Sequence, residues 1–256
     1  MPVASNDGVS CYYERDGDGD PVVFVGDAGY GAWQWGWQHA AVAGPYESVV
    51  TDVRGAGRSD APPGPYSIAD LVTDLTSVLS DAGFRSAAVV GAGLGGIVGL
   101  EAARTTARVD RLVCLGSAAT GDQLDLESLY APPNDRDGLK QSLKAAFSDR
   151  FVEEQPDAIQ QMIAWRSEED ASPRAWEAQV AAIRDYALDA AYEVTTPTLV
   201  VHGTDDAVWP VERGRELAES LPRGEFAAVE DAGHLAHIEQ SKRVNDELLA
   251  FLADDE

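Results

Sequence analysis

Residues 89–99 read VVGAGLGGIVG. They continue an apolar run that opens with SAAVVG at 86–91, break into glycines at 91, 93, 95 and 96, and go on in small apolar residues. A buried strand, a sharp turn and a closely packed helix over Gly95 to Ala107 satisfy that pattern, because glycine permits both the turn and the close approach of helix to strand.

Working outward, GVSCYYER at 8–15 alternates, meets the turn-rich DGDGD, and leads into PVVFVG at 21–26. This reads as a hairpin feeding a buried strand. A further strand, ESVVTD at 47–52, precedes RGAGRSD and a helix from Ser67 to Ala82. In that helix Ile68, Leu71, Val72, Leu75, Val78 and Leu79 share one face, and Ser67 with Asp70 supplies a capping box. Downstream, VDRLVCLGSA, TPTLVVHG and GEFAAVE read as strands, the last two separated by a helix over Val211 to Ser220. Strands alternating with helices imply an α/β fold with a mostly parallel, doubly wound sheet. Between Thr120 and Ala191 the strand signals stop, and helical segments follow around 138–149, 156–170 and 173–190. The expected organisation is a core from 1–120 and 191–256, with a helical cap inserted at 121–190.

The chain has 256 residues, 44 acidic against 19 basic, for a formal charge of −25. That charge disfavours nucleic acid and anionic membrane surfaces as partners. Among the basic residues only Lys140, Lys144 and Lys242 are lysine, and aspartate exceeds glutamate. This is the composition of a protein from a very salty cytoplasm, where salt screens the self-repulsion; an ordinary acidic protein is the plainer reading. Cys11 and Cys114 are too few for a disulfide framework or a metal cluster and read as buried residues. The N-terminal MPVASNDGVS lacks a signal-peptide pattern, and no apolar run reaches membrane-spanning length, so a cytoplasmic location is expected.

In their order and spacing these motifs resemble the α/β-hydrolase superfamily, in its esterase, enol-lactonase and non-haem peroxidase-like branch. DVRGAGRSDAPPGPYS at 52–67 looks like the loop after the family's fourth strand, TPTLVVHGTDD at 196–206 like its acid strand, and AGHLAHIEQS at 232–241 like its histidine loop. The resemblance implies acyl transfer with serine, acid and histidine in that chain order. It places the histidine at His234 and the acid at Asp206, three residues after Gly203, with Asp205 as the one-residue alternative and otherwise a turn-capping side chain. The nucleophile falls on Gly93, which has no side chain. Glycine there relieves the strain that the turn imposes on other residues.

The oxyanion loop departs as well. FVGDAGYGAW puts Gly26 and Asp27 where the family has His-Gly, while the backbone N–H groups of Ala28 and Leu94 are the implied oxyanion donors. Asp27 either points inward, where its charge opposes an oxyanion, or outward into solvent. Trp33, Trp35 and Trp37 either wall a pocket or pack alternately under the cap. Ser59 reads as loop structure; Ser117 and Thr120 are nearer the site but have no motif. His202 reads as a packed, hydrogen-bonded residue and His237 as ordinary; His39, in a helix near the cap, carries no role.

Two functions remain open. One is slow hydrolysis of a small ester or lactone, or related proton-transfer chemistry, by His234 held by Asp206. The other is an inactive homologue that binds a small molecule. Neither needs a cofactor or a metal, and the sequence is silent on oligomeric state.

Overall fold

The computed structural model describes residues 2–254. Its strands are β1 (Val3–Asn6), β2 (Val9–Asp16), β3 (Pro21–Val25), β4 (Glu47–Thr51), β5 (Ala87–Ala92), β6 (Val109–Leu115), β7 (Thr198–Gly203) and β8 (Gly224–Val229). They form one sheet in the order β1-β2-β4-β3-β5-β6-β7-β8. The β1–β2 and β2–β4 pairs are antiparallel, and every other pair is parallel.

The expected hairpin between residues 8–15 and 21–26 does not form. β2 pairs with β1 and β4, and β4 lies between β2 and β3. The DGDGD tract crosses over β4 instead of closing a two-strand turn, with Gly17 and Gly19 both at positive φ. The physical reason is burial: β3 is covered on both faces, with Val23 and Phe24 inaccessible, and takes parallel neighbours on both edges. Strand β1 is an addition to the strands expected from the sequence.

The helices are α1 (Gly36–Val42), α2 (Ile68–Asp81), α3 (Leu94–Thr105), α4 (Arg136–Ala146), α5 (Asp149–Glu154), α6 (Pro156–Glu169), α7 (Pro173–Arg184), α8 (Val211–Ser220), α9 (Ala236–Glu239) and α10 (Ser241–Ala253). The strands alternate their side chains between two apolar layers. Val23, Val89, Cys114 and Val200 lie in the layer that holds α2, α3 and α8, while Phe24, Val90, Val113 and Val201 lie in the layer that holds α1 and α10. The Ser67–Asp70 capping box opens α2. Between β6 and β7 the chain is helical, but two details differ from expectation. A short helix, α5, occupies 149–154, started by the Ser148 hydroxyl accepting from Phe151 N–H. The last of these helices ends at Arg184, after which Ala187 bridges to Thr120. Both cysteines are buried and unpaired. Among the described residues no helix is long and apolar enough to cross a membrane.

The parallel register decides which loops become neighbours. Val25 pairs with Gly91, so β3 and β5 end side by side and the loops after them, carrying residues 27 and 93, meet at the carboxyl edge of the sheet.

Candidate active site

Gly93 sits at φ 45°, ψ −108°, in the turn that joins β5 to α3. Its N–H donates to the Leu115 carbonyl at 2.9 Å. A β-carbon at this position would collide with the carboxylate of Asp27. The space that a nucleophilic side chain would fill is therefore occupied, from the neighbouring loop, by another side chain.

Asp27 is only 2% exposed, which overturns the outward, solvated alternative. Its Oδ1 accepts from Ala28 N–H at 2.7 Å and from Leu94 N–H at 2.8 Å. Those are the two donors that the motif implies for an oxyanion. Its Oδ2 lies 2.9 Å from Nε2 of His234. The carboxylate thus bridges the Ala28 and Leu94 N–H groups and the His234 imidazole. Next to it, Gly26 makes room for Gln34, a buried residue that sequence reasoning missed. Gln34 accepts from Asp27 N–H at 3.3 Å and donates to the Gly31 carbonyl at 3.1 Å. A glutamine inside the aromatic run AWQWGW was its only visible signal.

His234 Nδ1 faces Oδ2 of Asp206 at 2.8 Å. Asp206 also accepts at Oδ1 from Val208 N–H at 3.0 Å and Trp209 N–H at 2.8 Å, and His202 Nε2 stands 3.3 Å from Oδ2. Burial opposes the charge on Asp206. The His234 charge and the hydrogen bonds from His202 and His234 outweigh it and hold the carboxyl well below the usual carboxylate range. Burial likewise opposes a charged His234, yet the Asp206 carboxylate, with Asp27 on the other side, lifts it from 6.5 to about 10. The centre is an imidazolium between two carboxylates, roofed by the Trp209 ring at 6.3 Å.

The remaining candidates make no contact with Asp27 or His234 through a hydrogen bond. Asp205 is exposed, its N–H donating to the Ala232 carbonyl. Ser117 donates to the Gly93 and Leu115 carbonyls, Ser59 donates to the Asp52 carbonyl, and Thr120 donates to Asp122. His202 is buried, with Nε2 also at 2.5 Å from the Trp209 carbonyl. His237 is pushed down to about 3 by burial and by the His234 charge, and its ring packs on Trp35 at 5.1 Å. His39 Nδ1 lies 2.7 Å from the Ser48 hydroxyl on β4. The tryptophans alternate: Trp33 donates to Asp170, which follows α6, and Trp37 meets Trp165 on α6, whereas Trp35 is buried against Phe24 in the other apolar layer.

Comparison with known proteins agrees with this fold. The putative carbamate hydrolase RutD of Azorhizobium caulinodans is 30% identical, over 98% of both chains. The putative non-heme bromoperoxidase BpoC of Mycobacterium tuberculosis is 26% identical, over 96% of this chain and 98% of its own. The crystal structure of the enol-lactonase from Burkholderia xenovorans LB400 shares the fold, with a TM-score of 0.89 at 24% identity, covering 99% of this chain and all of the other. The family model described as "Alpha/beta hydrolase family" matches residues 22–247, and the chain belongs to that family.

Proposed function

We propose that the protein carries out hydrolase-type chemistry on a small ester or lactone with water in place of a serine, and that Asp27 closes the site between turnovers. One observation carries the reading: the Asp27 carboxylate lies as the carboxylate product of such a hydrolysis would lie. One oxygen rests on Ala28 and Leu94 N–H and the other on His234 Nε2. With Asp27 withdrawn, a substrate carbonyl oxygen takes the place of Oδ1 and a water takes the place of Oδ2. His234, relieved of one carboxylate, releases its extra proton to bulk water, and the neutral imidazole then accepts a proton from the bound water as the water oxygen bonds to the carbonyl carbon. The same proton passes to the departing alkoxide as the C–O bond breaks, giving acid and alcohol. Positioned proton transfer contributes roughly 10²- to 10⁴-fold, and oxyanion donors about 10²- to 10³-fold each. Kinship with hydrolases, among them the carbamate hydrolase and the lactonase, supports hydrolase-type function for a small molecule.

A second reading, a non-hydrolytic small-molecule binder, is favoured by the charge state of the centre. An imidazolium that donates through both nitrogens has no lone pair for a proton. The test compares release from a chromogenic short-chain ester by the wild type, Asp27→Ala, and Asp27→Ala/His234→Ala in concentrated salt. Hydrolysis by Asp27→Ala at least about tenfold faster than wild type is expected, since removing the plug raises the competent fraction. The double variant returns to background. Background rates from Asp27→Ala itself would leave the binding reading standing.

A further inference from the structure

The loop that carries Asp27 is tied more closely to the inserted helices than to the sheet it leaves. Gly29 N–H donates to Gln179 Oε1 at 2.7 Å, and the Gly29 carbonyl accepts from Ala171 N–H at 2.9 Å. Trp33 Nε1 donates to Asp170 Oδ1 at 2.8 Å, and Trp33 N–H donates to Glu169 Oε2 at 3.0 Å. The Tyr30 hydroxyl donates to the Leu129 carbonyl at 2.9 Å, with the Arg166 guanidinium 4.6 Å above the Tyr30 ring. By contrast, the hydrogen bonds of the Asp27 main chain within its own loop are long, 3.3 Å to Gln34 and 3.3 Å from Tyr30.

These ties are built, not incidental. Gln179 is fully buried and satisfied at both ends, its Nε2 donating to the Arg54 carbonyl at 2.8 Å. Gly29, at φ 85°, has no room for a side chain beneath the stacked rings of Tyr130 and Trp176, which lie 4.4 Å apart. Asp170 and Arg166 form a fully buried ion pair at 2.6 Å. Both anchors follow Asp27 in the chain, Gly29 two residues on and Trp33 six.

We infer that Gln179 and Trp33 are positioning residues that set Asp27 in the oxyanion hole, so that loosening the inserted helices from residues 29–33 withdraws the carboxylate from Ala28, Leu94 and His234. Access to the site and removal of its plug are then one motion. The inference rests on the loop geometry and stands whether or not the site turns over substrate.

The readout is the ring titration of His234, monitored by NMR. The chain has four histidines, and His234→Ala identifies the resonance. The groups facing His234 are Asp27 and Asp206 directly, His202 through Asp206, and His237 on α9. Asp27→Asn, which removes one facing charge, is the reference and moves the midpoint down from about 10 toward the ordinary histidine range. Gln179→Ala and Trp33→Phe are expected to move it the same way, Gln179→Ala further because it frees the N–H two residues from Asp27. Trp33→Phe keeps an aromatic ring, so it reports even where Gln179→Ala does not fold. Midpoints in both variants that coincide with wild type, while Asp27→Asn shifts, overturn the inference. An unshifted Asp27→Asn overturns it too. Ester hydrolysis measured on the same samples reports on turnover separately.

Discussion

At the scale of single residues, the pair Gly93 and Asp27 forms one unit. Gly93→Ser alone is not expected to create a serine hydrolase, because the new side chain and the Asp27 carboxylate compete for one volume and the backbone at φ 45° adds strain of about 1–3 kcal/mol. Gly93→Ser/Asp27→Gly removes the competitor and leaves Ala28 N–H, Leu94 N–H and the His234–Asp206 pair around the serine. Active-site titration with an activated ester should show a stoichiometric burst in the double variant and none in the single one. A burst from Gly93→Ser alone sinks the account of Asp27. Asp206, with Asp27 as the second carboxylate, governs the pH response. His234 rises from 6.5 to about 10 on folding, so the stability it contributes is complete below about 6.5 and is lost as pH rises through about 10. Asp206, held low, contributes above its ordinary value and loses that contribution in acid. Chemical denaturation between pH 7 and 10.5 should therefore show a steeper loss for wild type than for His234→Gln; parallel slopes would contradict the ion triad.

At the scale of elements, the Arg166–Asp170 pair fastens α6 to the loop that carries Asp27, through Trp33 and Gly31. Arg166→Ala leaves Asp170 buried without its partner, at an expected cost of about 3–5 kcal/mol, readable as a lowered denaturation midpoint. A change under about 1 kcal/mol would show that the clasp is dispensable. Neither Arg166 nor Gln179 stood out in the sequence, since each is one of several polar residues on its helix. The legible parts came from local physics: the apolar period and cap of α2, the apolar runs of β3, β5, β6 and β7, and the glycine turn at 91–96. Strand partners were not legible for β2 and β3, because a DGDGD turn is compatible with both a hairpin and a crossover, and burial decides. Asp27 was the hardest to read. An aspartate in so acidic a chain looks solvated, and the only pointer inward was that positions 27 and 93 depart from the family pattern together.

At the scale of the whole molecule, two kinds of charge respond differently to salt. A net charge of −25 on 256 residues sets carboxylates against one another across the surface, and few lysines or arginines stand against them. Ion pairs such as Arg150–Glu154 and Lys242–Asp246 are exposed and contribute little. Raising ionic strength from about 0.1 M to 1 M shortens the screening length from about 10 Å to about 3 Å, so the surface repulsion should fade and the thermal midpoint should rise over that range of KCl. The Asp27–His234–Asp206 triad is buried, at 2%, 3% and 5% exposure, and is screened far less. The titration midpoint of His234 should therefore hold nearly constant over the same salt range in which the melting temperature climbs. A melting temperature that is flat or falls with KCl would show that surface repulsion does not limit this fold. A His234 midpoint that drops with salt would show that ions and water reach the triad, and that Asp27 does not close the site.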